Sequence, residues 1–173
     1  MKKLVIVITL VAILGAGTVF ASPVHPGGLG LGVLWGSAVG GTGGDFSDNN
    51  NVAFSLKLPT VPIFWGIRLG GFADTLWVGI QGDHYFLGGQ LVPTLSWYLG
   101  VGAYCHFWMG DDFALSFGGR LPIGLTWQPI SLLEVFANIV PQIGGFIYTG
   151  SDGGFDFPHG GFFGFELGFR VWL

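Results

Sequence analysis

Charged side chains in this chain recur at alternate positions of segments that are otherwise apolar. After residue 21, every base and three of the acids follow this rule: Lys57, Arg68, Arg120, Arg170, Asp83, Glu134 and Glu166. Alternate positions of an extended strand share one face, so these charges would lie together, with Asn138 and Gln142 beside them. Charge removed from water needs a partner of opposite sign. The pattern therefore predicts a buried network of ion pairs, one of them between Glu134 and Arg170. A polar conduit, or a gate whose ion pairs rearrange, is the alternative.

Other residues that carry chemistry lack the spacing that the chemistry needs. The histidines lie on separate segments, without metal-ligand spacing: His25, His84, His106 and His159. His106 shares a face with Tyr104 and Ser96, which are residue types found in hydrolases, but no Gly-x-Ser-x-Gly motif places a nucleophile. The glycines of residues 27–32 lead into neither a helix nor a Gly-Lys-Ser/Thr sequence. We therefore predict no enzyme activity, no metal site and no cofactor.

The elements that would position the charges are strands. Residues 162–173 alternate without a break, with six apolar residues on one face and both Glu166 and Arg170 on the other. Seven earlier segments repeat the alternation, so the sequence predicts an all-β, antiparallel, up-and-down fold of eight strands. The predicted strands are residues 28–37, 51–58, 63–72, 76–86, 94–108, 113–127, 132–147 and 162–173.

The connections between these strands sort into two kinds. Four are predicted loops at one end of the sheet, namely residues 38–50, 73–75, 110–112 and 148–158. They hold the remaining acids: Asp45, Asp48, Asp74, Asp111, Asp112, Asp152 and Asp156. The other three are predicted short turns, headed by Pro59, Leu87 and Gln128, at the opposite end. The loop end is therefore the acidic end.

Composition indicates which face meets the solvent. Half of the residues are hydrophobic and only 9% are charged, against about 25% in typical soluble domains. No charged residue falls on an apolar face, and a one-residue error of register would have exchanged the faces. This pattern is typical of a transmembrane β-barrel, which is apolar outside and polar inside and must close because an open edge is costly in lipid. A soluble lipocalin-like barrel would need the apolar faces to point inward.

Outward-facing aromatic residues cluster near the strand ends. The predicted belts at the two membrane interfaces comprise Trp35, Trp65, Trp97, Phe107, Phe113, Trp127 and Phe163. Aromatic side chains with one wet and one apolar side favour such interfaces. The expected partner of this surface is outer-membrane lipid.

The first residues have the pattern of a secretory signal. Lys2 and Lys3 precede an apolar run at residues 4–14, and small residues follow up to Ala21. The run is shorter than the roughly 20 residues of a membrane-anchor helix, so we predict a signal peptide at residues 1–21 and a barrel domain at residues 22–173. That domain is acidic, which excludes a nucleic-acid binder. Its one cysteine, Cys105, excludes an internal disulfide.

Over residues 28–173 the chain resembles small eight-stranded outer-membrane proteins of the OmpA, OmpX and OmpW kind. Four stretches are similar to an uncharacterised family of spirochaetal outer-membrane proteins: Pro62-Ile-Phe-Trp-Gly-Ile, Arg120-Leu-Pro-Ile-Gly-Leu, Leu133-Glu-Val-Phe and Gly168-Phe-Arg-Val-Trp. The resemblance implies an outer-membrane barrel, inserted by the barrel-assembly machinery through its last strand, and it brings no catalytic residues. The final Leu173 departs from the aromatic residue that usually ends such strands.

The expected function is that of a barrel with a plugged interior, in a structural or surface-interaction role with an unknown surface ligand. A narrow channel for small or hydrophobic solutes is the main alternative. An outer-membrane lipid-modifying enzyme and the soluble lipocalin-like binding protein are the remaining ones.

Overall fold

The computed structural model describes residues 25, 27–39, 50–71, 76–109, 113–149, 153–159 and 163–173. The predicted signal peptide lies outside these residues, as do most of the predicted acidic loops. The described residues form ten strands: β1 (Gly30–Val39), β2 (Asn51–Lys57), β3 (Phe64–Gly70), β4 (Trp77–Val92), β5 (Leu95–Met109), β6 (Phe113–Arg120), β7 (Ile123–Ile130), β8 (Leu133–Tyr148), β9 (Gly154–His159) and β10 (Phe163–Trp172). Within them, no helix is long and apolar enough to cross a membrane.

The strands form one antiparallel sheet that closes into a ring. Neighbours along the chain pair from β1 to β6, and β10 pairs with both β8 and β1. The closing seam aligns Gly30 with Trp172 and Val39 with Phe163. β6 and β7 follow one another in a single position, because both pair with β5 on one side and with β8 on the other. The ring therefore has eight strand positions, and the predicted closed, eight-stranded, antiparallel topology is confirmed.

Alternation fixes which residues face the inside of the ring. Along β10, the outward residues Phe163, Leu167 and Phe169 are exposed, whereas the inward residues Glu166 and Arg170 are buried. The same alternation holds along β2 and β3. The apolar faces thus point outward and the charged faces inward, as the sequence predicted.

The predicted sixth strand, residues 113–127, is interrupted. Pro122 has no backbone N–H, and the stretch at residues 121–122 separates β6 from β7. The ladder nonetheless continues across the break, since Leu121 N donates to Pro141 O and Gly100 N donates to Pro122 O, both at 2.8 Å. One predicted strand is therefore two short ones in line.

Three predicted connections are wrong in part. The turn predicted to begin at Gln128 lies further along the chain, because β7 continues to Ile130 and the chain turns at Ser131 and Leu132. Residues 87–92 are not a turn but the end of β4, and the chain turns instead at Pro93 and Thr94. The paired glycines, Gly88 and Gly89, pair with Tyr98 and Trp97 between two register shifts of the ladder, so they lie within a strand and not at a reversal. The predicted loop at residues 148–158 contains most of β9, whose Phe155 pairs with Ile147 of β8.

Glycines on the inner face make room for large side chains. A Cβ at Gly168 would lie 2.6 Å from Phe136 Cζ and 2.7 Å from Leu34 Cβ. Leu34, Ala53 and Phe136 form the small apolar core inside the ring. Two polar clusters occupy the interior on either side of this narrow layer.

Candidate functional site

The buried charges gather into two groups inside the ring. The first, the central cluster, consists of Arg68, Arg120, Glu166, Asp83, Gln81, Asn51, Asn138 and Tyr98. The second, the end cluster, consists of Glu134, Arg170, His25, Ser55, Thr126 and Trp172. The charged members of both are almost fully buried, with exposed fractions of at most 5% apart from His25 at 9%. The structure therefore contains a buried salt-bridge network.

Glu166 of β10 is the centre of the central cluster. Its Oε1 accepts hydrogen bonds from Arg68 Nη2 and from Arg120 Nη2, the latter at 2.6 Å. Its Oε2 accepts from Asn138 Nδ2 at 2.8 Å. One carboxylate thus joins two guanidinium groups that come from β3 and β6.

Polar neighbours complete this cluster. Gln81 Oε1 accepts from both arginines, and Arg68 Nη1 donates to Asn51. Arg120 Nε lies 2.9 Å from Asp83 Oδ1, an ion-pair distance, but its N–H is not aligned for a hydrogen bond with that oxygen. The hydrogen bonds from the two arginines to Glu166 are charge-assisted and are therefore among the stronger ones in proteins. The bonds of the whole cluster hold four or more strands to one another across the ring.

Glu134 of β8 is the centre of the end cluster and is fully buried. Its Oε1 is 2.8 Å from His25 Nδ1, 2.9 Å from Thr126 Oγ1 and 3.2 Å from Arg170 Nη1. Its Oε2 accepts from Trp172 Nε1 at 2.8 Å. A carboxylate only accepts, so His25 donates through Nδ1. The predicted pair of Glu134 with Arg170 is present.

His25 closes this end of the ring. Its ring centroid lies 4.8 Å from that of Phe64, 5.1 Å from that of Tyr85 and 4.9 Å from that of Tyr98. The guanidinium of Arg170 lies beneath, 4.0 Å from the Phe136 centroid. The residue precedes β1 and belongs to no alternating segment, so no sequence pattern indicates this role.

Two predicted network residues lie apart from both clusters. Lys57 is half-buried, and its Nζ donates to the neighbouring Leu58 O at 2.5 Å. Gln142 is half-buried and lines a cavity beside the central cluster. The remaining seven are brought together as described: Arg68, Asp83, Arg120, Glu134, Asn138, Glu166 and Arg170. Several partners that the prediction omitted, such as Ser55 and Thr126, lie on inward positions of the same strands, which alternation alone would have identified.

The predicted aromatic belt residues lie on the outer face, and six of them are toward strand ends. Trp35 instead lies in the middle of β1, opposite Leu167. Exposed members are Trp35, Phe107, Phe113, Trp127 and Phe163. Trp65 and Trp97 are half-buried because their indoles lie close to glycines: a Cβ at Gly82 would be 3.2 Å from Trp65 Cζ3, and one at Gly89 would be 3.1 Å from Trp97 Nε1.

The residue types of a hydrolase do not come together. Tyr104 and His106 are neighbours, with ring centroids 4.8 Å apart. Ser96 lies ten residues from His106 on the same strand, which is about 33 Å at 3.3 Å per residue. Among the described residues, no group of His, Cys, Asp or Glu side chains is arranged to hold a metal ion.

Comparison of the chain with protein-family models, with curated proteins and with solved structures gives no significant match. The class that the geometry defines is therefore a closed ring of eight antiparallel strands with a salt-bridged interior and an apolar exterior. The resemblance to particular outer-membrane families stays a prediction.

Proposed function

We propose that this chain is an integral outer-membrane β-barrel protein with a plugged interior and a structural or surface-interaction role. The observation that carries the proposal is the inversion of the two faces. Exposed phenylalanine, leucine, isoleucine and valine side chains cover the outside of the ring, and ion pairs occupy the inside. Soluble proteins rarely expose continuous apolar patches beyond a few hundred Å², whereas lipid is the natural solvent of such a surface.

The closed sheet also supports a location in lipid. In hydrocarbon, every backbone N–H and C=O needs a partner within the protein. The seam between β1 and β10 pairs ten residues with ten, and the ladder continues past Pro122. A soluble lipocalin-like barrel would require the apolar faces to point inward, which is the reverse of the observed arrangement.

The interior supports a plug rather than a pore. Eight strands enclose just enough space for their own side chains. The end cluster fills one end with Glu134, Arg170 and Trp172, and His25 lies across it. A narrow channel for small or hydrophobic solutes is the second candidate, because a cavity lies beyond the central cluster. Conductance across planar bilayers separates the two functions: the plugged barrel gives no steady current.

Processing and insertion complete the proposal. In this proposal the leader at residues 1–21 directs secretion, and the barrel-assembly machinery inserts the barrel through β10. The acidic loops then face the outside of the cell, where an unknown surface ligand is the expected partner. We assign no catalytic role and no cofactor.

The test is electrophoresis of the purified protein in detergent, with unboiled and boiled samples side by side. A closed barrel resists the detergent until it is heated, so the unboiled band should migrate differently from the boiled one. The full chain should also fractionate with the outer membrane. Coincident bands from a protein that is soluble without detergent would refute the proposal.

A further inference from the structure

A cavity of about 130 Å³ lies inside the ring beyond the central cluster. Ser37, Trp108 and Gly164 place it at the end where the strands lead into residues 40–49, 110–112 and 160–162. Arg68, Arg120 and Glu166 also line it. An engineered apolar cavity of about 150 Å³ binds benzene. The space therefore suits a molecule with a single ring.

One wall of this cavity is aromatic. The centroids of Trp77 and His106 are 4.5 Å apart, and those of Trp77 and Trp108 are 5.9 Å apart. Glycines let these rings, whose planes are 35° apart, lie close to the sheet: a Cβ at Gly70 would lie 2.3 Å from Trp77 Cζ2, and one at Gly79 would lie 2.2 Å from His106 Cδ2. Aromatic walls favour stacking with a planar ligand.

Hydrogen-bond donors remain available at the cavity. The Glu166 carboxylate is already engaged by Arg68, Arg120 and Asn138. An arginine has five N–H donors, and Arg68 directs three to described residues, through Nε, Nη1 and Nη2. The buried Nε2 of His106, which also lines the cavity, has no hydrogen-bond partner among the described residues. A ligand with an acceptor oxygen would match the arginine N–H groups, and also His106 in the tautomer that carries its proton on Nε2.

The charge of the interior selects against an ion. Arg68, Arg120 and Arg170 are balanced by Asp83, Glu134 and Glu166, and all six are buried. A further charge in this space would have no counter-ion and would be costly to desolvate. A neutral ligand avoids that cost.

We propose that this cavity is a binding site for a small, neutral, planar molecule that carries a carbonyl or amide oxygen. The ring of the ligand stacks on Trp77 and His106, and its oxygen accepts hydrogen bonds from the donors at the cavity. This site is independent of the role proposed for the barrel, because it depends only on the folded interior.

The probe is benzamide, compared with benzoate, benzylamine and toluene by ligand-observed NMR titration of the full chain purified in detergent. The blocking variant is Gly164→Val. Gly164 lines the cavity, and a Cβ there meets Val140 Cβ at an ordinary 3.5 Å, so the added methyl groups enter the space without a backbone clash. The matched control is Gly119→Val, because a Cβ at Gly119, on the outer face, has nothing within 4 Å.

We expect benzamide to bind the wild type and Gly119→Val equally, at least tenfold more tightly than the two charged probes, and to lose at least tenfold in affinity for Gly164→Val. Partition of the probes into detergent is the same for all three proteins. His106→Phe replaces the imidazole with an aromatic ring that has no nitrogen. Benzamide affinity should therefore fall about fivefold to tenfold, while that of toluene is unchanged. Equal binding to both valine variants, preference for a charged probe, or no binding to the wild type would overturn the proposal. Heat-modifiability of each variant verifies that it is folded.

Discussion

Removing the negative charge of Glu134 should destabilise the fold more than most single substitutions. The side chain is fully buried and receives four donors, three of them at 2.8 or 2.9 Å. In Glu134→Gln, Arg170 keeps its bond to Ser55 but loses its counter-ion. The loss of one partner from a buried ion pair costs about 3–5 kcal/mol. We expect the free energy of unfolding to fall by that amount.

A double variant separates the ion pair from local packing. Glu134→Gln combined with Arg170→Met removes both charges, so the buried arginine no longer lacks a partner, and about 1 kcal/mol or more of the loss should be recovered. The assay is urea unfolding in lipid vesicles, followed by tryptophan fluorescence. The control is Asp156→Asn, which removes an exposed carboxylate on β9 and should change stability by less than about 0.5 kcal/mol. If Glu134→Gln behaves like this control, or if the double variant loses the sum of both single effects, the ion-pair reasoning is refuted.

Three further predictions follow: two use the same unfolding assay and the third uses thiol labelling. Leu167→Arg places a charge midway along the outer face and should lower the free energy of unfolding in lipid by about 2–4 kcal/mol. Its control, Leu132→Arg, is at a turn and should lower it by about 1 kcal/mol or less. Equal effects would contradict a lipid-embedded outer face. His25→Ala removes a donor to a buried carboxylate and should lower the free energy of unfolding by about 1.5–3 kcal/mol. His84→Ala should lower it by less than about 0.5 kcal/mol, because the bond of His84 to Pro62 O is exposed. No difference between the two variants would mean that His25 does not close the end of the ring. Cys105 is half-buried on the outer face of β5. It should react with a lipid-soluble maleimide, and with a charged, impermeant maleimide only after the protein is unfolded. Rapid reaction of the folded protein with the charged reagent would place that face in water.

The faces of the strands could be predicted because alternation is a local property. In β10, which runs from Phe163 to Trp172, odd-numbered residues face outward and even-numbered residues face inward. The face of each residue therefore follows from its position in the strand alone. The pairing of Glu134 with Arg170 needed a further step, because it also depends on strand order: the two strands are neighbours in the ring and the two residues are in register.

Other features depended on information that alternation does not carry. Gly88 and Gly89 have the composition of a turn, and only the pairing of β4 with β5 shows that they continue a strand past a bulge. The role of His25 depends on where the segment before β1 lies in three dimensions. The cavity depends on the sizes of several side chains from different strands. It also depends on Gly70 and Gly79, which make room for Trp77 and His106 of neighbouring strands. Such contacts between strands cannot be derived from alternation within one strand.

The position of Glu166 in the chain has a consequence for how the protein folds. This carboxylate on the last strand binds Arg68 and Arg120, which precede it by 98 and 46 residues. Until β10 docks, Asp83 alone balances the two arginines in the central cluster, so that cluster carries one unpaired positive charge. In the proposed membrane barrel, ring closure and neutralisation of this cluster would occur together. We therefore expect an intermediate in which β10 has not docked to stay hydrated and sensitive to proteases, outside the bilayer.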